Sequence, residues 1–323
     1  LSSSRIGLGL RPFRLRALPV TLFLLAGGTV LAAAPVEAGA IPAFSGERAL
    51  ELIVEQCALG PRTPGSSGNA AVRRMIMKAA EGAGLQAIPL CFQVPLGPDG
   101  TPIEACNIVV SAGPPGGERL WLGAHFDTRP WADRDASPGR RNLPIAGAND
   151  GGSGTAVLLH LIELFGSSPP PQGVDLLFFD AEDSGQAHDA AGFCLGSRHL
   201  VGTMGDFGHP LSAGTPRGLI LLDMVGEAGA RIPQEGYSLE LAPAWTAAVF
   251  ARAADLGLTV FEAVPGRQVY DDHVPFLLAG VPAVDLIDFD YPQWHTSGDT
   301  PDRCSAATLG QVGRLVTDLV YRP

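Results

Sequence analysis

Leu176-Leu177-Phe178-Phe179-Asp180-Ala181-Glu182-Asp183 is the stretch on which the reading of this chain turns. Bulky apolar residues run without a polar break into three acids. A short apolar run of this kind reads as a strand covered on both faces, the usual state of a strand inside a parallel sheet. Carboxylates so close together repel unless a cation or a shared proton compensates them. One can then bind a metal while its neighbour stays free to move protons; solvated loop acids are the plainer alternative.

The arrangement recurs in both directions along the chain. Leu120-Trp121-Leu122-Gly123-Ala124 ends in His125-Phe126-Asp127, Gly218-Leu219-Ile220-Leu221-Leu222 ends in Asp223, and a strand near 281–287 precedes Trp294-His295-Thr296, with Asp299 close behind. Residues two apart in a pleated strand point the same way, so Asp127 can hold the His125 imidazole in one tautomer. Ala148-Asn149-Asp150-Gly151-Gly152-Ser153-Gly154 stands just before an apolar helix. Its glycines allow close backbone approach, so Asp150 can be aimed at an ion above the strand ends. Simple capping of that helix by Asp150 or Ser153 is the alternative. His125, Asp150, Asp183, Asp223 and His295 thus gather where open α/β sheets build their active sites, as a mixed oxygen and nitrogen donor set that suits zinc.

Between these motifs the pattern alternates. Helices are expected over 46–58 and 69–83, followed by strands over 85–94, 106–111 and 119–125, whose short turns suggest antiparallel neighbours. A helix from about 153 leads to a strand at 174–179, a helix at 193–203 to a strand at 218–225, and a helix at 244–256 to a short strand near 258–264. A helical segment at 272–279 feeds the strand at 281–287, and a helix over 306–320 closes the chain. Asp272 could serve there as an N-cap and His273 as a packed polar residue. The expected fold is α/β, a single domain with a mixed, mostly parallel twisted central sheet flanked by helices on both faces.

Composition narrows the function classes. With 323 residues, 46% apolar and 17% charged, the chain can bury a sizeable core, and neither disorder nor a repeat array fits. Residues 1–40 read as a signal peptide: four arginines precede an apolar run, and Ala38-Gly39-Ala40 offers a small-x-small cleavage pattern. An uncleaved membrane anchor is the alternative. Loss of that segment removes four arginines and one glutamate, leaving 18 basic and 32 acidic residues, a net charge near −14. Nucleic acid is therefore an unsuitable partner. A secreted or periplasmic catalytic domain over 41–323, without stable membrane association after cleavage, is the expectation. Five scattered cysteines allow at most two disulfides, in no deducible pairing, and no CxxC pair suggests a thiolate zinc knuckle.

Taken in order, Gly60 to Ser66, His125-Phe126-Asp127, Asn149 to Gly154, Phe179 to Asp183, Leu222-Asp223, Asp271 to Phe276 and Trp294-His295-Thr296 resemble the zinc exopeptidases of the aminopeptidase type and their relatives, the zinc-dependent glutaminyl cyclases. In the aminopeptidases, the resemblance implies two zinc ions on His125, Asp150, Asp183, Asp223 and His295, with Asp150 bridging and Glu182 as general base. In the cyclases it implies one zinc on Asp150, Asp183 and His295. Asp271-Asp272-His273-Val274-Pro275-Phe276 and Trp294-His295 look like cyclase strings, since aminopeptidases typically carry Ser before the Asp-His and more often Tyr-His.

The implied activity is conversion of N-terminal glutamine of peptides to pyroglutamate. Glu182, Asp271 and Asp223 would be catalytic, with Trp294 and Tyr291 in the substrate pocket. A di-zinc aminopeptidase is the alternative, and a non-catalytic binding homologue a third. Three positions depart from the animal cyclases: Asp183 replaces a Glu ligand, the Trp after the acidic pair is missing with His188 near its place, and Asp285 stands where those enzymes carry His.

Overall fold

Side chains along each central strand alternate between two separate cores, one on each face of a six-stranded sheet. The computed structural model describes residues 41–97, 100–186, 190–206 and 208–323. In chain order the elements are α1 (Gly46–Ala58), α2 (Ser67–Gly82), β1 (Gln86–Val94), β2 (Ile103–Ala112), β3 (Glu118–His125), α3 (Gly152–Ser167), β4 (Gly173–Phe179) and α4 (Leu195–Thr203). Then follow β5 (Thr215–Asp223), β6 (Ile232–Gln234), α5 (Gly236–Leu241), α6 (Pro243–Asp255), β7 (Phe261–Pro265), α7 (His273–Leu278), β8 (Ala283–Ile287) and α8 (Ala306–Tyr321). Leu120, Leu122, Leu176, Phe178, Ile220 and Leu222 share one core with Ile53 of α1, Leu159 of α3 and Val316 of α8. Trp121, Leu177, Phe179, Leu219 and Leu221 pack the other way, against Leu200 of α4 and Phe276 of α7. Helices therefore cover both faces, as a fully buried parallel centre requires.

The sheet order is β1-β2-β4-β3-β5-β8. β1 with β2 and β2 with β4 are antiparallel; β3 with β4, β3 with β5 and β5 with β8 are parallel. This corrects the expectation that the first three strands are sequential antiparallel neighbours. Only β1 and β2 pair; β3 passes over β4 and sits between it and β5. The reason lies in burial. From Arg119 onward every β3 residue is buried, whereas all of β1 but Val94 is exposed or half-exposed, so β3 belongs in the doubly covered centre and β1 at an edge. Arg119 supports the β3–β4 pairing through a buried bidentate contact with Asp175, at 2.6 and 2.8 Å.

A second difference concerns the strand expected near 258–264. β7 forms, but it pairs with β6 in a separate two-stranded sheet. Asp272 occupies the cap position of α7 without capping it; its carboxylate instead accepts the Ser197 hydroxyl at 2.5 Å. Residues 1–40, and with them the expected signal peptide, lie outside the described residues, as does His188. Among the described residues no helix is long and apolar enough to cross a membrane.

Cys91 and Cys106 face each other across the β1–β2 ladder and form a disulfide, while Cys57, Cys194 and Cys304 are free. The bridge joins residues 15 apart. Cross-linking a loop of that size removes unfolded-state entropy worth about 3 kcal/mol. Cys91→Ser is therefore expected to lower unfolding free energy in urea by roughly 2–4 kcal/mol. An unchanged midpoint would show that the ladder alone fixes this edge.

Candidate metal centre

Each candidate ligand is delivered by a strand end or by the loop after it, and the loops carrying Asp150 and Asp183 are held by buried carboxylates. His125 is the last residue of β3. Asp127 places one oxygen 3.5 Å from His125 Nδ1 and accepts the backbone N–H groups of Glu182 and Asp183 at 3.1 and 3.2 Å. It ties the ends of β3 and β4 together, while His125 Nδ1 is without a hydrogen-bond partner. Gly151 closes this corner: its φ is +78°, and a Cβ there would lie 2.5 Å from the Asp127 carbonyl oxygen and 2.9 Å from the His125 ring. Asp299 holds the Asp150 loop from the other side, accepting the N–H groups of Asn149 and Asp150 at 2.9 and 3.1 Å and the Tyr291 hydroxyl at 2.8 Å.

The three acids after β4 separate. Asp180 turns away into a cradle made by Asn69 Nδ2 and the Cys106 N–H, at 2.7 and 2.8 Å, while Glu182 and Asp183 line the pocket. Non-glycine residues with positive φ among those described are Ala181, Cys194, Met224 and His295, at 58°, 55°, 46° and 56°. All four are functional candidates or neighbours of them. Backbone held in this sparsely populated region costs of order 1–3 kcal/mol per residue and persists only where the surroundings over-determine it.

The five expected ligands converge. His125 Nε2 lies 3.3 Å from Asp150 Oδ1 and 3.1 Å from Asp223 Oδ1. His295 Nε2 lies 3.3 Å from Asp183 Oδ1 and 3.9 Å from Asp150 Oδ2. Asp150 thus stands between two groups, His125–Asp150–Asp223 and Asp150–Asp183–His295, within each of which the donor atoms are no more than 4.8 Å apart.

Two residues that sequence reasoning missed complete the second group. Arg129, buried, donates to Asp183 Oδ1 at 2.8 Å and grips Asp133, and Asp133 in turn lies 3.5 Å from His295 Nδ1. Their positions in an irregular loop carry no periodic signal. Asp150 Oδ2 and Asp183 Oδ2 are left buried without a hydrogen-bond partner. Orphaned carboxylate oxygens on residues grouped with an imidazole are what a dication would satisfy, so the residues fit the zinc their donor chemistry suggested.

Charge crowding has measurable consequences. Burial and then the Asp183 charge push the Glu182 carboxyl well above its usual range, and burial and then Asp223 raise Asp271 to about 7. Burial works against a charged His295, yet Asp183 and Asp133 outweigh it and lift its pKa to about 9. His125 behaves alike: hydrogen bonds to Asp127, Asp150 and Asp223 overcome desolvation and hold it well above the ordinary value. Perturbations of this size in a cleft mark a site built for proton transfer or for a cation.

Glu182, Asp183, Asp271, Met224, Phe193 and Trp294 are among the residues lining a cavity of about 300 Å³. Tyr291 is not among them. It is buried with Met224 and Ile287, and its hydroxyl is engaged by Asp299. Asp285 is fully buried on β8, 3.7 Å from Nδ1 of His273, whose Nε2 meets Glu235 at 2.9 Å. Residues that orient ligands typically cost about 10–100-fold in metal affinity when removed. Asp299→Ala is expected to weaken metal binding by that factor in chelator competition, with the fold retained by circular dichroism. Unaltered affinity would show that the Asp150 loop holds itself.

The model for peptidase family M28 matches residues 107–320. Among solved structures, a leucine aminopeptidase precursor from Bacteroides thetaiotaomicron shares 34% identity with a TM-score of 0.82, over 88% of this chain and 99% of that one. A glutaminyl cyclase from the same organism, solved with N-acetylhistamine bound, shares 33% identity with a TM-score of 0.81 over the same proportions. The mouse glutaminyl-peptide cyclotransferase-like protein is 27% identical over 290 residues, 79% of this chain and 70% of that protein.

Proposed function

The chain belongs to peptidase family M28, and within that family we propose that it is a zinc-dependent glutaminyl-peptide cyclotransferase, converting N-terminal glutamine to pyroglutamate with release of ammonia. Asp150, Asp183 and His295 would hold one zinc ion. When bound, the metal supplies Lewis-acid polarisation of the γ-carboxamide oxygen. The α-amine nitrogen attacks the γ-carbon, forming the ring C–N bond, while the bond to the amide nitrogen breaks. Glu182 takes a proton from the attacking amine and delivers one to the departing nitrogen, which leaves as ammonia. Burial and the Asp183 charge raise its proton affinity above that of an ordinary carboxylate, which strengthens it as a base. Asp271 hydrogen-bonds the leaving amide, with Asp223 sharing its proton. Trp294 forms part of the pocket wall, and confining amine and amide together favours the near-attack conformer of an intramolecular reaction.

One observation carries this choice. The Asp271 carboxylate lies in the pocket within 4.8 Å of the Glu182 carboxylate, so a second acid stands beside the base for the leaving group. Hydrolysis of N-terminal residues by a di-zinc centre is the alternative, supported by the intact His125–Asp150–Asp223 group. Substrates would be peptide and protein N-termini. The basic and apolar character of residues 1–40 supports action in the periplasm or outside the cell.

Incubation with a glutaminyl peptide and with leucine amide, with and without a chelator, separates the readings. Chelator-sensitive ammonia release from the first and no cleavage of the second is expected. Rapid hydrolysis of leucine amide with two zinc ions per chain would transfer the assignment to aminopeptidase.

A further inference from the structure

We propose that Glu182, Cys194 and Asp271 form a second, inhibitory site for thiophilic divalent cations, separate from the Asp150–Asp183–His295 group. Cys194 precedes α4 but does not cap it; its left-handed backbone, with φ 55°, accompanies a thiol placed 3.3 Å from Glu182 Oε1. The two residues are also joined through the Cys194 N–H and the Glu182 carbonyl, at 2.9 Å, so their separation is set by the backbone. Donor atoms of Glu182, Cys194 and Asp271 all lie within 4.8 Å of one another, and all three residues are buried. Independently, Asp271 Oδ2 is buried without a hydrogen-bond partner, although Oδ1 accepts the Asp272 N–H.

The spacing suits a small ion. Tetrahedral bonds of about 2.3 Å to sulfur and about 2.1 Å to oxygen need donors roughly 3.6 Å apart. The 3.3 Å between Cys194 Sγ and Glu182 Oε1 is close to that edge. One thiolate with two carboxylates selects cadmium or excess zinc over magnesium or calcium. None of the three residues belongs to the Asp150–Asp183–His295 or His125–Asp150–Asp223 group, so two ions would share no ligand. Binding releases the thiol proton to solvent and occupies the Glu182 carboxylate. The base can then accept no proton, whichever reaction the centre performs.

The test is a cadmium titration of the zinc-loaded full chain. A thiolate-to-cadmium charge-transfer absorption should grow to one equivalent as turnover is lost. Cys194→Ser should abolish the band and raise the cadmium concentration for half-inhibition at least about tenfold, although Cys57 and Cys304 remain. Absence of the band in the parent protein, or its persistence in Cys194→Ser, overturns the proposal. So does undiminished inhibition of that variant, which would place the ion on His125, Asp150 and Asp223. If Cys194→Ser fails to fold, Glu182→Gln carries the test: cadmium affinity read from the band should fall about tenfold, and unchanged affinity overturns the site.

Discussion

Glu182→Gln lowers kcat by about 10²–10⁴-fold, the range a positioned general acid–base contributes, while bound metal stays at the parental level. The substitution keeps size and shape, so the two backbone N–H groups held by Asp127 and the adjacent Asp183 have no reason to move. Only the capacity to carry a proton is lost. Single-turnover assays with a glutaminyl peptide, beside metal analysis of the same sample, provide the check. Activity within about tenfold of the parent would remove Glu182 from the base role. A binding protein without turnover would show no difference in ligand affinity, so the same variant also tests the non-catalytic reading.

The second large effect falls on Asp150. Its two oxygens face His125 and His295, so it belongs to both candidate groups whether the centre holds one ion or two. Asp150→Ala is expected to weaken metal binding by more than the roughly 10–100-fold that an orienting residue costs, and turnover falls with it to the uncatalysed background. Metal analysis after dialysis and equilibrium chelator competition measure the loss. Retention of a full equivalent in Asp150→Ala would mean that the expected ligand set is wrong, although its members are close together in space.

Where sequence was informative, the reason is topological. A parallel strand delivers the residue at its C-terminal end to one edge of the sheet, so four acids or imidazoles after apolar runs are brought together by fold class alone. His125, Asp183, Asp223 and His295 were legible in that way. Other features depend on contacts between distant loops. Arg129, Asp133 and Cys194 sit in irregular segments whose contacts have no periodic trace in the chain. The place of β3 between β4 and β5 depends on competition for the doubly covered centre, which turn length does not report. Tyr291 precedes the Trp-His motif, and its hydroxyl finds Asp299 beneath the surface, a contact that proximity in sequence does not report.

Ala181 decides which of its neighbouring carboxylates enter the cavity. A continuing pleat would send Asp180 and Glu182 to one side and Asp183 to the other. The positive dihedral at Ala181 breaks that parity, burying the first acid behind the β2 strand and presenting the next two side by side. With the roles proposed above, a proton carrier and a metal ligand are consecutive residues, and one backbone rotation, rather than any difference among the acids themselves, would divide their labour.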